Sequence, residues 1–268
     1  MTYPSEIAPV VDRLVLAVNT AGRAESKEQI AAHCAEVGVD SPEFPGHYAE
    51  FLLAGRLTEA LAVARLHYQP PERILAAVTG WEAAGLTVRT GERLAAGPAL
   101  GGLAEAILEA RRVVAVRLWS DHADRVDTAN RIISNMLGHL PEQFVLAVEH
   151  AALPAPGDPY RRLHQHLTTM RYVRSQCHAE AWRARELHRD DIIAMTALWH
   201  GGTLDTVPPT LLERGLATVE GLTDRGREMR LSIEEDTNTA NAPVFDPLDT
   251  TTRHTLAETL TALPGNPL

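Results

Sequence analysis

The chain has 268 residues, a formal charge of −10, 45% hydrophobic and 22% charged residues, a balance that fits a packed protein and excludes a disordered or fibrous one. Its length allows one large domain or two small ones. The excess of 35 acidic over 25 basic residues works against general attraction to nucleic acid; two cysteines are too few for a disulfide framework and fit a reducing cytoplasm, and no run of 18 apolar residues is present to span a membrane.

Along the chain, Ile7, Val10, Val11, Leu14, Ala17 and Val18 recur at helical spacing, and Ala31, Ala32 and Ala35 form a second helical set after Ser26 and Glu28. The segment LTEALAVAR (57–65) leads into residues 69–97, where Pro70 and Pro71 open a helix that stops near Gly85. A β-prone LTVR, a TG turn and a second short strand follow, which is the signature of a winged helix. Leu103, Ile107, Ala110, Val114 and Leu118, then Val126, Ile132, Ile133 and Leu137, predict one long helix or two joined end to end. The proline-rich LPAPGDP (153–159) predicts a break and a domain boundary.

Beyond it a long helix is expected over 160–186, then another from Arg189 to Trp199, favoured by Asp190 and Asp191 and stopped by Gly201 and Gly202. Residues 207–238 repeat the order of prolines, helix, Gly-Leu, strand and turn, but Pro71 to Gly85 spans 14 residues while Pro209 to Gly215 spans 6. The plan is therefore duplicated with its second helix cut short. The expected architecture is mainly α, with two winged-helix-like units, the second degenerate, joined by long helices and carrying small β wings. Its divisions are residues 1–100, 101–156 and 157–245, with 246–268 a surface tail apart from a helix at 253–262.

The densest chemistry lies on the 160–186 helix. His164, Leu167, Arg171, Arg174, His178, Ala181 and Arg185 share one side, bordered by an apolar stripe through Leu163, Met170, Val173 and Cys177. Arg171, Arg174 and His178 fall within about 10 Å along the axis. Two guanidiniums beside an imidazole suit an anionic ligand and proton exchange near neutral pH; equally, an acidic protein uses such arginines in ion pairs between helices. Trp182 offers a flat pocket wall one turn beyond His178, and Tyr172, about 100° off the row, is a reserve candidate.

Twelve histidines raise the question of a metal, yet none of the clusters His164–His166, Glu149–His150 or His188–Asp191 has chelating geometry alone, since His164 and His166 point about 200° apart on a helix. The spacing therefore assigns no metal, and a haem held by one His leaves no spacing to read, so the cofactor is unassigned. Cys177 belongs to the apolar stripe, which makes it an inert buried thiol rather than a nucleophile paired with His178. As a DNA reader, PERILAAVTGWEAAG offers one Arg against two Glu, and Lys27 is the one lysine of the chain.

MRYVRSQCHAEAW (170–182) and LTDRGREMRLSIEEDTN (222–238) resemble an actinobacterial family of uncharacterised helix-turn-helix proteins, which reads RYxRxDAHxxAW and LTxxGRxxRxxIExxTD at these places; the second motif is also similar to the wing and following helix of MarR-type regulators. Arg171, Arg174, His178, Arg227, Arg230, Glu234 and Thr237 match the motifs, while Gln176 replaces an acidic residue. The resemblance implies two winged-helix units around helices and no established reaction. Two functions follow. In the first, a pocket between the units binds an anionic or aromatic small molecule through Arg171, Arg174, His164, Trp182 and Tyr172, with His178 the acid or base of an isomerase-, cyclase- or lyase-type reaction needing no redox cofactor. In the second, a homodimeric, ligand-responsive regulator places the 69–85 helix in the major groove of DNA.

Overall fold

The computed structural model describes residues 5–38 and 43–265. The first helix, α1 (Ile7–Val37), runs unbroken through both helical sets seen in the sequence and ends at Gly38, whose φ of 73° closes it. It is uninterrupted because Gly22 is a contact, not a stop. A Cβ there would meet Arg111 at 3.1 Å, so the glycine lets α1 lie close against α5 (Gly101–Trp119). Between them in sequence come α2 (Glu43–Leu53) and the first winged unit.

That unit consists of α3 (Glu59–Arg65), α4 (Pro71–Ala83), β1 (Thr87–Thr90) and β2 (Arg93–Ala96). The strands pair antiparallel with Thr87 opposite Ala96, and Leu57 adds a bridge to Leu94. The 102–137 pattern resolves into two helices, α5 and α6 (Ala123–Leu137), separated by a 3-10 turn at Ser120–His122. Next come α7 (Val145–Ala151), α8 (Pro159–Arg183) and α9 (Arg189–Trp199). The second winged unit continues with α10 (Pro209–Glu213), β3 (Ala217–Thr218), β4 (Gly221–Leu222) and α11 (Asp224–Asn241), and α12 (Thr250–Thr261) follows.

Both winged units close through the same backbone pattern. Gly85 and Gly215 adopt φ of 70° and 63°, the N–H of Leu86 reaches Trp81 O, and the N–H of Leu216 reaches Leu211 O. After each wing a glycine passes hard against the chain: a Cβ on Gly97 would lie 2.2 Å from Gly85 O, and one on Gly226 would lie 1.9 Å from Leu216 O. The mainly helical fold with two winged-helix-like units, the second reduced, is thus as the sequence indicated.

Two expectations are corrected. The Pro-rich segment at 153–159 does not divide two cores: one apolar core runs from α1 through Cys177 and takes in residues 244–263, and the second begins at Ala179. The cores change over inside α8. The tail is not a surface wrap either, because Leu256, Leu260 and Leu263 form a helical stripe that packs against α6 and α1. Trp119 Nε1 donates to Pro264 O at 3.0 Å and Arg13 to Leu263 O at 2.9 Å, pinning it.

Candidate functional site

Helix α8 touches α1, α5, α6, α7 and α11, and its sides meet different surroundings. At 100° per residue, Tyr172, Gln176, Ala179 and Arg183 centre roughly 140° around the helix from Arg171, Arg174, His178 and Arg185. The first set lines a cleft. The second packs on α1 and α11.

On the charged side every arginine meets a carboxylate. Arg171 Nε donates to Asp12 at 2.6 Å, Arg174 to Glu234 at 2.5 Å, and Arg185 pairs with Asp236 at 2.7 Å. Arg230 shares Glu234, whose carboxyl is held below its usual range: burial, the largest single influence, favours the neutral form, and the Arg230 hydrogen bond together with the charges of Arg230 and Arg174 outweighs it. His178 completes the junction. Burial lowers its pKa to about 4, so it is neutral at pH 7, with Nε2 3.6 Å from Glu234 and Nδ1 2.9 Å from the hydroxyl of Tyr68. A proton on Nε2 leaves Nδ1 to accept from Tyr68. Arg171, Arg174 and His178 therefore act as ties between helices and do not line the cleft.

The cleft, of about 1210 Å³, lies between the first winged unit, α7, α8 and the start of α9. The first unit contributes Leu61, Ala64, His67, Pro70 and Leu75, α7 contributes Leu146 and Glu149, and the start of α9 contributes His188 to Asp190. The floor is α8. Its lining is chiefly apolar, with Arg56 and Glu149 paired at 2.6 Å, and this combination suits an organic molecule with a few polar groups. Tyr172 and Trp182 both line it. The indole is no open platform, however: Trp182 is 3% exposed, belongs to the second core and carries the Arg183 guanidinium 4.9 Å from its ring centroid. Its Nε1 is buried without an acceptor.

His164 points away from the cleft. It is buried, bonded to Asn19 at 3.2 Å, and its pKa is lowered to about 3 by burial and then by Arg111. It belongs to a polar group that the periodicity does not reveal. His150, fully buried, bonds Glu50 and Thr169, each at 2.8 Å; Tyr172 stands edge-on to His150 at 4.8 Å, with Arg65 4.7 Å over its ring. The Glu149–His150 pair splits between two environments, Glu149 in the cleft and His150 in the core. His188 caps α9 and Asp191 closes its capping box. Cys177 is buried, its thiol pushed up to about 12 by burial. Among the described residues no group of three or more His, Cys, Asp or Glu has an arrangement able to hold a metal ion.

The helix faces that would read DNA carry little positive charge. On α4, Glu72, Arg73, Leu75, Ala76, Thr79 and Gly80 are exposed, and Arg73 donates to Gln69 at 3.3 Å. The wing arginine, Arg89, is engaged by Glu82 and Glu59, each at 2.7 Å. In the second unit the corresponding helix is five residues long and Arg214 donates to Arg185 O.

A model described as a helix-turn-helix family matches residues 69–265, from the turn before α4 through α12. The chain belongs to this helix-turn-helix family. No curated protein and no solved structure matches it, and among the described residues no helix is long and apolar enough to cross a membrane.

Proposed function

We propose that this helix-turn-helix protein binds a small organic molecule in the cleft between its first winged unit and the helices that lead into the second, so that the winged units serve as walls rather than as readers of DNA. The observation that carries the reading is the position of the 1210 Å³ cleft, lined by the first winged unit, α7, α8 and the start of α9, the helix that leads into the second unit. The helix faces expected to enter a major groove offer few cations, and Arg89 is already neutralised. The size of the cleft, at the upper end of the ~300–1,000 Å³ typical of ligand sites or above it, suits an extended molecule. Binding is proposed without a reaction attached, because His178 faces Tyr68 and Glu234. The test is native mass measurement of the chain purified from its own cells, beside Ala64→Trp, which places an indole in the cleft from an exposed position on α3. Extra mass on the wild type that is lost in the variant supports the reading; an adduct equal in both, or none in either, overturns it.

Family membership favours a second reading, a DNA-binding regulator; that it responds to a ligand, is of MarR type and acts as a homodimer belongs to the same proposal. A gel-shift assay with DNA from the chain's own upstream region at low salt discriminates the two: a sequence-specific complex supports the regulator, and no complex removes it.

A further inference from the structure

Behind Tyr172, five helices bring together a set of charges that, among the described residues, does not balance. Arg65 ends α3, Arg111 lies on α5, Glu50 and His47 on α2, His150 on α7, and Tyr172 and His164 on α8. These groups lie within electrostatic reach of one another: Arg65 and Arg111 both act on His47 and on Tyr172, and Glu50 acts on Arg111 and Tyr172. Arg111 donates to Gly46 O at 2.8 Å. Arg65 stacks on Tyr172 and has its Nε buried without an acceptor. Among the described residues neither guanidinium has a carboxylate within ion-pair distance. Glu50, the nearby acid, is already bonded to His150. Arg23, also in reach, has a partner of its own. Burial and the neighbouring arginines lower His47 to about 3, so it adds no charge at pH 7.

Among the described residues, two guanidiniums against one carboxylate leave a single positive charge in a partly dry site, and an uncompensated buried charge is costly. Yet the site is not sealed. Glu50 keeps 15% side-chain exposure, and Arg65, Arg111 and His47 are half-buried rather than fully enclosed. Its wall, Tyr172, is also a wall of the cleft. A planar guanidinium matches the two oxygens of a carboxylate, and one carboxylate supplies the one missing negative charge.

We propose that Arg65 and Arg111 form an anion recess that opens beside Tyr172 and takes the carboxylate of an organic acid whose body lies in the cleft. This deepens the cleft reading by naming its ligand class. It also moves the anion site predicted on Arg171 and Arg174 to the opposite side of α8, where, among the described residues, Arg65 and Arg111 have no carboxylate partner.

The test is thermal denaturation of the full chain with sodium benzoate, inorganic phosphate or sodium chloride at matched ionic strength, for the wild type, Arg65→Met, Arg111→Met and Arg171→Met. Benzoate should raise the wild-type midpoint saturably, chloride should not, and each recess variant should weaken benzoate by about tenfold or more, the effect of a lost charge-assisted pair. Arg171→Met, whose partner is Asp12, should leave benzoate affinity unchanged. Without added anion, Arg111→Met should keep or raise the midpoint, since an unpaired charge is removed; a lowered midpoint with no benzoate response in the wild type would show a purely structural arginine and overturn the proposal. Unchanged benzoate affinity in either recess variant overturns it too, as does phosphate binding tighter than benzoate. Ala64→Trp separates the two readings: benzoate binding that survives it while the native adduct is absent from the wild type leaves the recess standing and the cleft reading refuted.

Discussion

Arg171, Arg174 and Arg185 on one side of α8 and Arg65 with Arg111 near the other are similar in chemistry and opposite in circumstance. Each of the first three reaches a carboxylate at 2.5–2.7 Å. The other two share the neighbourhood of Glu50, which His150 already holds. A cation with a close carboxylate joins two helices, whereas a half-buried cation without one is a site for something the chain does not supply. What distinguishes binding from structure here is the charge balance of the surroundings, not the density of arginines along a helix.

Acidification gives the largest expected effect and strikes both groups. His47 and His164 beside the recess are lowered to about 3, and His178 at the row to about 4. Folded-state values below the unfolded ~6.5 mean that the unfolded chain binds protons first, so stability is complete above about pH 6.5 and falls as the pH drops toward 4. Glu50 and Glu234, both lowered, add losses of the same sign at lower pH. Urea denaturation at pH 7, 5.5 and 4.5 should show a summed loss of several kcal/mol, at roughly 1.4 kcal/mol per group and pH unit as an upper bound; a flat profile would mean these histidines are freely hydrated.

Glu50→Gln comes next. It removes the acid that acts on Arg111 and breaks a bond to a fully buried imidazole, and should cost about 3 kcal/mol while tightening benzoate. Glu234→Gln leaves Arg174, Arg230 and His178 without their shared partner. Because Glu234 is 30% exposed, solvent moderates the loss to about 2 kcal/mol, with no change in benzoate affinity; a change there would blur the distinction between the two groups. Arg171→Ala breaks a pair with 33% and 41% side-chain exposure, so denaturation should shift by about 0.5 kcal/mol or less.

Local signals carried much of the fold. The prolines at 70 and 71, Gly85 and the TG turn mark the first winged unit to within a residue or two of α4, β1 and β2, because helix starts, left-handed stops and hairpin turns depend on nearby residues. Asp190, Asp191 and Gly201 bracket α9 for the same reason. The candidate site was less legible, since its character depends on distant partners. Asp12 lies on α1, and Glu234 and Asp236 on α11, so periodicity on α8 ranks the residues on each side without saying what either side meets. Arg65 and Arg111 lie on separate helices, α3 and α5, and no spacing rule joins them. In the tail, leucines at 256, 260 and 263 hold a helical stripe that Thr- and Pro-rich composition hides.

The claim that the winged units are walls and not DNA readers is tested most directly by fluorescence anisotropy of the full chain on duplexes from its own upstream region and on scrambled duplexes, with Arg73→Ala as a partner variant. At about 100 mM salt the account predicts weak binding that differs less than about tenfold between the duplexes and is insensitive to Arg73. Nanomolar binding to one sequence, lost on scrambling and on Arg73→Ala, would contradict it.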